Sequence, residues 1–315
     1  MKKENVKKVL LVILAIIICV AVYVGVVGIY KNNKEQEAKQ QEEIITDENL
    51  YEAKEYPKID GSTATLPLAE AFKANFTKSE EVEVKHSKTH NAYVKLINDE
   101  VDLILVTEPS EDELELAKQK GIELEVIPVV KEGFVFYVNS ENEVDNLTTE
   151  QIQKIYTGEI TNWKEVGGAD EKIIAYQRPQ NSGSQTGMLS LVMNGLKMME
   201  TKTETLAGTM EQIINFVSDY NNGKNSIGYS YYYYANTMFE SIDKEVASNI
   251  NLLGVDGVKP TNETIQNDSY PFTTAYYIVI NKADSEDSQA RILANQMLSA
   301  RGQKVAEEAG YVPVK

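Results

Sequence analysis

A run of 22 residues, Val9 to Tyr30, contains no charged side chain, and it constrains the rest of the chain more than any other feature. At ~1.5 Å per residue a helix of this length reaches ~33 Å, about one bilayer core. Backbone in hydrocarbon must satisfy its own N–H and C=O groups, which a helix does. Before the run stand Lys2, Lys3, Lys7 and Lys8 against Glu4, a local charge of +3; the whole chain carries −17, so everything after the run carries −20. The positive-inside tendency keeps residues 1–8 in the cytoplasm and exports the remainder, which predicts a single-pass cell-membrane protein with an extracytoplasmic body. Cleavage as a signal peptide, or lipidation at Cys19, are the alternatives. The apolar stretch is longer than a signal peptide usually has, and Ile18 is bulkier than lipidation signals usually allow.

The acidic excess argues against nucleic acid as a partner, because phosphodiester backbones are bound chiefly by clustered Lys and Arg. No such cluster follows residue 8. Cys19 is the sole cysteine, so no intramolecular disulfide or cysteine metal cluster can form. With only His86 and His90 as histidines, a zinc site or a Ser-His-Asp triad is also disfavoured. The reading therefore expects no metal and no cofactor. Residues 31–55, rich in Lys, Glu, Gln and Asn, read as a solvated tether, and the folded body as residues 56–315.

Within that body, strand-like and helix-like patterns alternate. Leu68, Phe72 and Phe76 recur at helical spacing, as do Tyr93, Leu96 and Ile97; Val82 and Val84 alternate like a half-buried strand, and Val101 to Val106 is a continuous apolar run. Glu111 to Gln119 reads as a helix ended by Gly121, followed by two strands, Leu124 to Val130 and Phe134 to Val138. Thr148 and Gln151 form a capping box, with Gly158 as the stop. Further helices are predicted at Met210 to Tyr220 and Glu286 to Leu298, and a strand at Thr274 to Ile280. Alternation of this kind is the mark of an α/β fold.

Three polar segments each stand where a strand or loop feeds a helix: Asp60 to Thr65 before Pro67, Ser87 to Asn91 before Tyr93, and Arg178 to Ser184 before Gln185 to Met193. Each would offer unpaired backbone N–H groups and a hydroxyl at the positive end of a helix dipole. Any one alone is the ordinary pattern of a helix N-cap. Converging on one point, with the planar fork of Arg178, they would hold an oxyanion. The tyrosines 229 and 231–234 suit either core packing or an aromatic ligand platform; Trp163 reads as a loop anchor and His90 as a solvated or capping side chain.

In order and spacing these segments resemble the phosphate-binding, PstS-like substrate-binding proteins of ABC importers. The resemblance runs from Tyr56 to the C-terminus and rests on Asp60-Gly-Ser-Thr-Ala-Thr-Leu-Pro67, Val101-Asp-Leu-Ile104, Ile155-Tyr-Thr-Gly-Glu-Ile-Thr-Asn-Trp163 and Arg178 to Ser184. It implies a two-lobed periplasmic-binding-protein (type II) fold preceded by the transmembrane helix 9–30. One lobe would comprise about 56–133 and 270–315, the other about 134–269. Matched by position, Thr65 and Leu66 take the family's first anion-contacting turn, Thr89 its second helix-start hydroxyl, Arg178 the family arginine, and Ser182, Gly183 and Ser184 its Ser-Gly-Thr motif. Phosphate-specific members carry an aspartate where this chain has Thr107. A carboxylate there accepts the proton that phosphate keeps and repels sulfate, whereas a hydroxyl imposes a smaller penalty. The implied function is capture of inorganic phosphate for an ABC permease, with no bond made or broken. The alternatives are another oxyanion (sulfate, molybdate or tungstate), a sensor ectodomain, and a phosphate-releasing hydrolase.

Overall fold

The computed structural model describes residues 55–77, 79–219 and 223–314. The apolar run Val9 to Tyr30 and nearly all of the tether lie outside the described residues.

Strand β1 (Ile59–Gly61) leads through a 3-10 turn (Thr63–Thr65) into α1 (Leu66–Phe76), whose buried face is Leu68, Ala69, Phe72 and Phe76. Phe72 and Phe76 stack with ring centroids 5.8 Å apart. Each such fully buried side chain contributes ~1.5–3 kcal/mol relative to exposure. Helix α2 (Thr89–Ile97) buries Ala92, Tyr93, Leu96 and Ile97 against Ile104 and Val106 of β2 (Leu103–Val106). Every residue of β2 is buried, as its unbroken apolar run predicts. Helix α3 (Glu111–Lys120) starts on the Ser110/Glu113 capping box and stops at Gly121, which takes the left-handed conformation at φ 71°. Val82 and Val84 form no strand: the segment joins no ladder and is anchored at its end by Ser87, which donates to Asp60.

The two strands expected at 124–130 and 134–138 are one, β3 (Leu124–Asn139). Pro128 and Gly133 do not break it, because the missing Pro128 donor is absorbed in a register shift between Pro128 and Val130. This strand joins the two lobes. From Leu124 to Gly133 it pairs antiparallel with β9 (Thr273–Asn281), and from Phe134 to Val138 with β6 (Ser226–Tyr231). The first sheet runs β1-β2-β9-β3 with β10 (Val312–Pro313) also on β3; the second runs β3-β6-β5, where β5 is Ile174–Ala175, with β7 (Ile250–Leu252) on β3.

A separate two-stranded sheet pairs β4 (Asn146–Leu147) with β8 (Gly254–Val255), and α4 (Thr149–Thr157) has the Thr148/Gln151 capping box and the Gly158 stop at φ 84°. A short α5 (Gly183–Gly187) runs on into a π-helical turn, Met188–Met193. Helix α6 (Met210–Ser218) is followed beyond β6 by the short helices α7 (Phe239–Ile242), α8 (Lys244–Ala247) and α9 (Asn262–Gln266). Helices α10 (Gln289–Leu298) and α11 (Ala300–Glu308) pack against the first sheet. Trp163 is buried and donates through Nε1 to the Asn225 carbonyl at 2.9 Å, a loop anchor as its sequence context suggests.

Candidate functional site

A cleft of about 390 Å³ opens where β1 and β2 end and α5 and α6 begin. Sites beyond the carboxyl ends of strands are the rule in α/β proteins. One wall comes from the first lobe: Ser62, Thr63 and Ala64, then Lys88 to Asn91, then Thr107. The other comes from Arg178, Asn181 to Ser184, and Gly208 to Glu211, with Tyr231, Tyr234 and Tyr276 also on its lining.

The first wall is set by Asp60. Its buried carboxylate accepts from Gly61 N at 2.6 Å, Ser87 N at 2.6 Å, Ser87 Oγ at 2.8 Å and Lys95 Nζ at 2.6 Å. Burial alone would raise its pKa, but the Lys95 ammonium and the Ser87 and Gly61 donors outweigh that and hold it below its ordinary value. The turn after β1 and the loop before α2 are thereby tied to each other. Gly61 is required for this approach, since a Cβ there would lie 2.4 Å from the Leu105 carbonyl oxygen. Lys88 enters α2 at φ 76°, a conformation costing ~1–3 kcal/mol for a non-glycine residue. No side chain caps α2, so its first N–H groups, beside the Thr89 hydroxyl, have no intrahelical acceptor.

The second wall supplies the charge. Arg178 is 8% exposed, and its backbone N–H donates to Tyr229 Oη at 3.0 Å and Gln185 Oε1 at 3.2 Å. Its Nη2 reaches the Gly208 carbonyl at 3.4 Å, while Nε and Nη1 are buried without a partner. No carboxylate among the described residues forms an ion pair with it, and burial lowers its pKa. An unpaired buried charge costs several kcal/mol, so this wall is built for a guest that brings the opposite sign. The Ser184 hydroxyl is likewise buried and unpartnered, and Ser182 caps α5 by accepting from Gln185 N at 3.3 Å.

The walls meet at Gly183. A Cβ added there would lie 2.7 Å from Thr107 Oγ1 and 2.8 Å from Thr89 Oγ1. Contacts between the lobes continue outside the cleft: Asn181 Nδ2 donates to Asp112 at 2.7 Å, and Ser190 Oγ donates to the Glu108 carboxylate. His90 faces Glu113 at 3.1 Å.

Of the residues singled out in the sequence, Thr89, Thr107, Arg178, Ser182, Gly183 and Ser184 come together on the lining. Thr65 and Leu66 do not. The 3-10 turn puts Ser62 to Ala64 forward and turns Thr65 back, where its hydroxyl donates to the Leu105 carbonyl at 2.5 Å; Leu66 opens α1 behind it. Sequence reasoning passed over Thr209, which caps α6 by accepting from Gln212 N at 3.0 Å. It carries the same signal as the other segments, a hydroxyl directly before an apolar helical run. Tyr231 and Tyr234 are buried and also border the cleft, whereas Tyr229 and Tyr233 are buried away from its lining.

A family model for a PBP superfamily domain matches residues 52–300. The chain is 32% identical over 193 residues to the phosphate-binding protein PstS of Borreliella burgdorferi, an alignment covering 58% of this chain and 64% of that one. It is thus matched over slightly less than two thirds of that relative's length. To the phosphate-binding protein PstS of Staphylococcus aureus it is 27% identical over 262 residues, covering 81% of this chain and 77% of the other. Among solved structures it is similar to a Clostridium perfringens protein described as the substrate-binding protein of a phosphate ABC transporter, with bound phosphate. The TM-score is 0.65 and the identity 26%, covering 82% of this chain and 98% of that one.

Proposed function

The chain belongs to the PBP superfamily, with the two-lobed type II fold, and on that premise we propose that it captures inorganic phosphate outside the cytoplasm and delivers it to an ABC importer. The observation that carries the reading is the Arg178 guanidinium, buried with Nε and Nη1 unpartnered, beside the unpartnered hydroxyls of Ser184 and Thr107. Phosphate matches this set: its charge answers the guanidinium, and its oxygens accept from hydroxyls and helix-start amides. The protein changes no bond. Closure brings Thr89 and Thr107 against Gly183, completing the contacts; opening at the permease releases the anion. The lobe limits 56–133 with 270–315 and 134–269, and anchorage by residues 9–30, belong to the same reading. Thr65 and Leu66 serve it from behind the wall, by setting the turn that presents Ser62 to Ala64.

Calorimetric titration of anion-stripped protein with phosphate tests the reading directly. Arg178→Ala is expected to weaken phosphate by about 10²-fold, since hydrogen bonds to a charged group contribute about 1.5–3 kcal/mol. Unchanged affinity in that variant overturns the site. A second reading, another tetrahedral oxyanion, is favoured by one observation: Thr107, not a carboxylate, stands on the first wall. Sulfate, molybdate or tungstate binding more tightly than phosphate in the same titration would select it.

A further inference from the structure

The loop before α2 is attached to the end of β1 at two points, of which Asp60 is one. The other is His86. Its Nδ1 lies 2.7 Å from the Ser62 carbonyl oxygen. A carbonyl only accepts, so Nδ1 carries the proton and donates it. The same nitrogen is 3.3 Å from Thr65 Oγ1, whose own proton goes to the Leu105 carbonyl and which has lone pairs left to offer. The Ser62 carbonyl also takes the Thr65 N–H at 3.2 Å, the bond that closes the 3-10 turn. His86 therefore holds the turn at the residue where it starts, and Ser62, Thr63 and Ala64 line the cleft. The ring is seated against the backbone: a Cβ on Gly61 would lie 2.6 Å from His86 Cε1 and 2.7 Å from Nδ1.

The far side of the ring is different. Nε2 is buried and has no hydrogen-bond partner among the described residues. With the proton on Nδ1, Nε2 keeps only a lone pair; a second proton there would leave a buried charge and an N–H without an acceptor, which is far more costly. The charges acting on the ring are the carboxylates of Asp60 on β1 and Glu70 on α1, which favour protonation. Asp60 is itself held by the Lys95 ammonium of α2 at 2.6 Å, and on the loop Lys85 is exposed and paired with Glu83 while Lys88 is exposed. Burial outweighs the two carboxylates and holds the imidazole below its ordinary pKa. Residues 82–88 belong to no helix or strand, so the loop is free to carry a protonated ring outward to water.

We propose that His86 is a positioning residue for the anion: as a neutral ring it fixes the Ser62 turn that lines the first wall, and a proton taken up at Nε2 drives the ring out, loosens that turn and weakens phosphate binding. The inference rests on the phosphate reading above and adds to it a residue that is not itself on the lining of the cleft.

Two measurements on the full chain in detergent test it. The first is nitrogen NMR of the imidazoles in anion-free protein, with His90→Gln to assign the two histidines. At pH 8 the Nδ1–H tautomer of His86 is expected; the Nε2–H tautomer overturns the inference. The second is calorimetric titration of phosphate into parent, His86→Leu and His86→Asn between pH 8 and pH 4.5. At pH 8 the leucine variant, which fills the space without a donor, is expected to bind phosphate about tenfold more weakly. The asparagine variant, whose amide N–H stands in for Nδ1–H and does not titrate, is expected to stay within about threefold of the parent. The ratio of asparagine-variant to parent affinity cancels the ionisation of phosphate itself, and it is expected to rise about threefold as pH falls, all of it below the ordinary histidine pKa. A histidine that merely packs would lower the melting temperature of the leucine variant yet leave its phosphate affinity within twofold of the parent, or leave the ratio flat with pH; either result overturns the inference. Should His86→Leu fail to fold, the tautomer and the asparagine ratio decide. A parent that binds no phosphate at pH 8 fails the phosphate reading instead, and the tautomer with its pH titration then decides the hold on Ser62 alone.

Discussion

The two walls of the cleft solve different problems. The first-lobe wall offers hydroxyls and amides, fixed from behind by the four donors gathered on Asp60. The second-lobe wall carries a guanidinium with two of its nitrogens left unpartnered and with few constraints beyond the backbone bonds of Arg178. A neutral wall can be satisfied internally and stay rigid, whereas a buried charge is satisfied only by the guest. Attraction therefore belongs to one lobe and fit to the other, and neither wall is sufficient unless the two close on each other.

Gly183 is where that division is most easily broken. A Cβ at Gly183 would meet Thr107 Oγ1 at 2.7 Å and Thr89 Oγ1 at 2.8 Å, so Gly183→Ala is obstructed only when the walls are together. Overpacking of this kind costs about 1–3 kcal/mol. Phosphate affinity is expected to fall by about ten- to a hundredfold with the melting temperature of the anion-free protein unchanged. Calorimetry and a thermal melt measure both, and a matching loss of stability would mean that Gly183 supports its own lobe rather than closure.

A smaller effect comes from loosening the first wall alone. Asp60→Asn leaves Lys95 without its carboxylate at 2.6 Å and turns an amide N–H₂ toward donors that had an acceptor. Affinity is expected to drop about tenfold, and here the melting temperature falls too, because the network stabilises the fold with or without the anion. If the variant keeps full affinity while melting earlier, the preorganisation assigned to Asp60 is wrong.

The ease of reading these regions from sequence differed for physical reasons. Caps and stops are local, so the Thr148/Gln151 box, Gly158 and Gly121 appear where their residue types demand. Buried faces are periodic, so Leu68, Phe72 and Phe76, or the all-apolar β2, declare themselves. The second-wall motif is contiguous and was legible from Arg178 to Ser184. What was not legible depends on partners remote in sequence. Val82 and Val84 have the alternation of a strand but no neighbouring ladder to join, and β3 runs through Pro128 and Gly133 because β9 and β6 wait on its two halves. Thr65 looked like a ligand and is instead turned inward by the Leu105 carbonyl, 40 positions away.

The smallest predicted effect on phosphate affinity concerns the seam between the walls rather than either wall. Glu132 lies on β3 two residues before Phe134, next to the point where the strand passes from β9 to β6, and it is fully buried. It accepts from Gly133 N at 2.8 Å and Tyr233 N at 3.1 Å. Burial pushes its pKa up to about 8 from 4.5, more than those donors lower it. A carboxyl whose folded pKa is raised contributes most below its unfolded value. Between pH 4.5 and about 8 the folded chain holds a proton that the unfolded chain has released, so stability falls across that window as pH rises. Glu132→Gln keeps an acceptor for the two backbone donors and removes the titration. The difference in melting temperature, variant minus parent, is expected to grow from near zero at pH 4.5 to about 10 °C at pH 9, at about 1.4 kcal/mol for each pH unit of that window and about 2–4 °C for each kcal/mol in a domain of this size. Phosphate affinity at pH 7 should stay within about twofold of the parent, since the carboxyl is already protonated there. A difference that stays flat with pH would show Glu132 ionised in the fold, and a charge at the seam would then join Arg178 in setting how the two lobes meet.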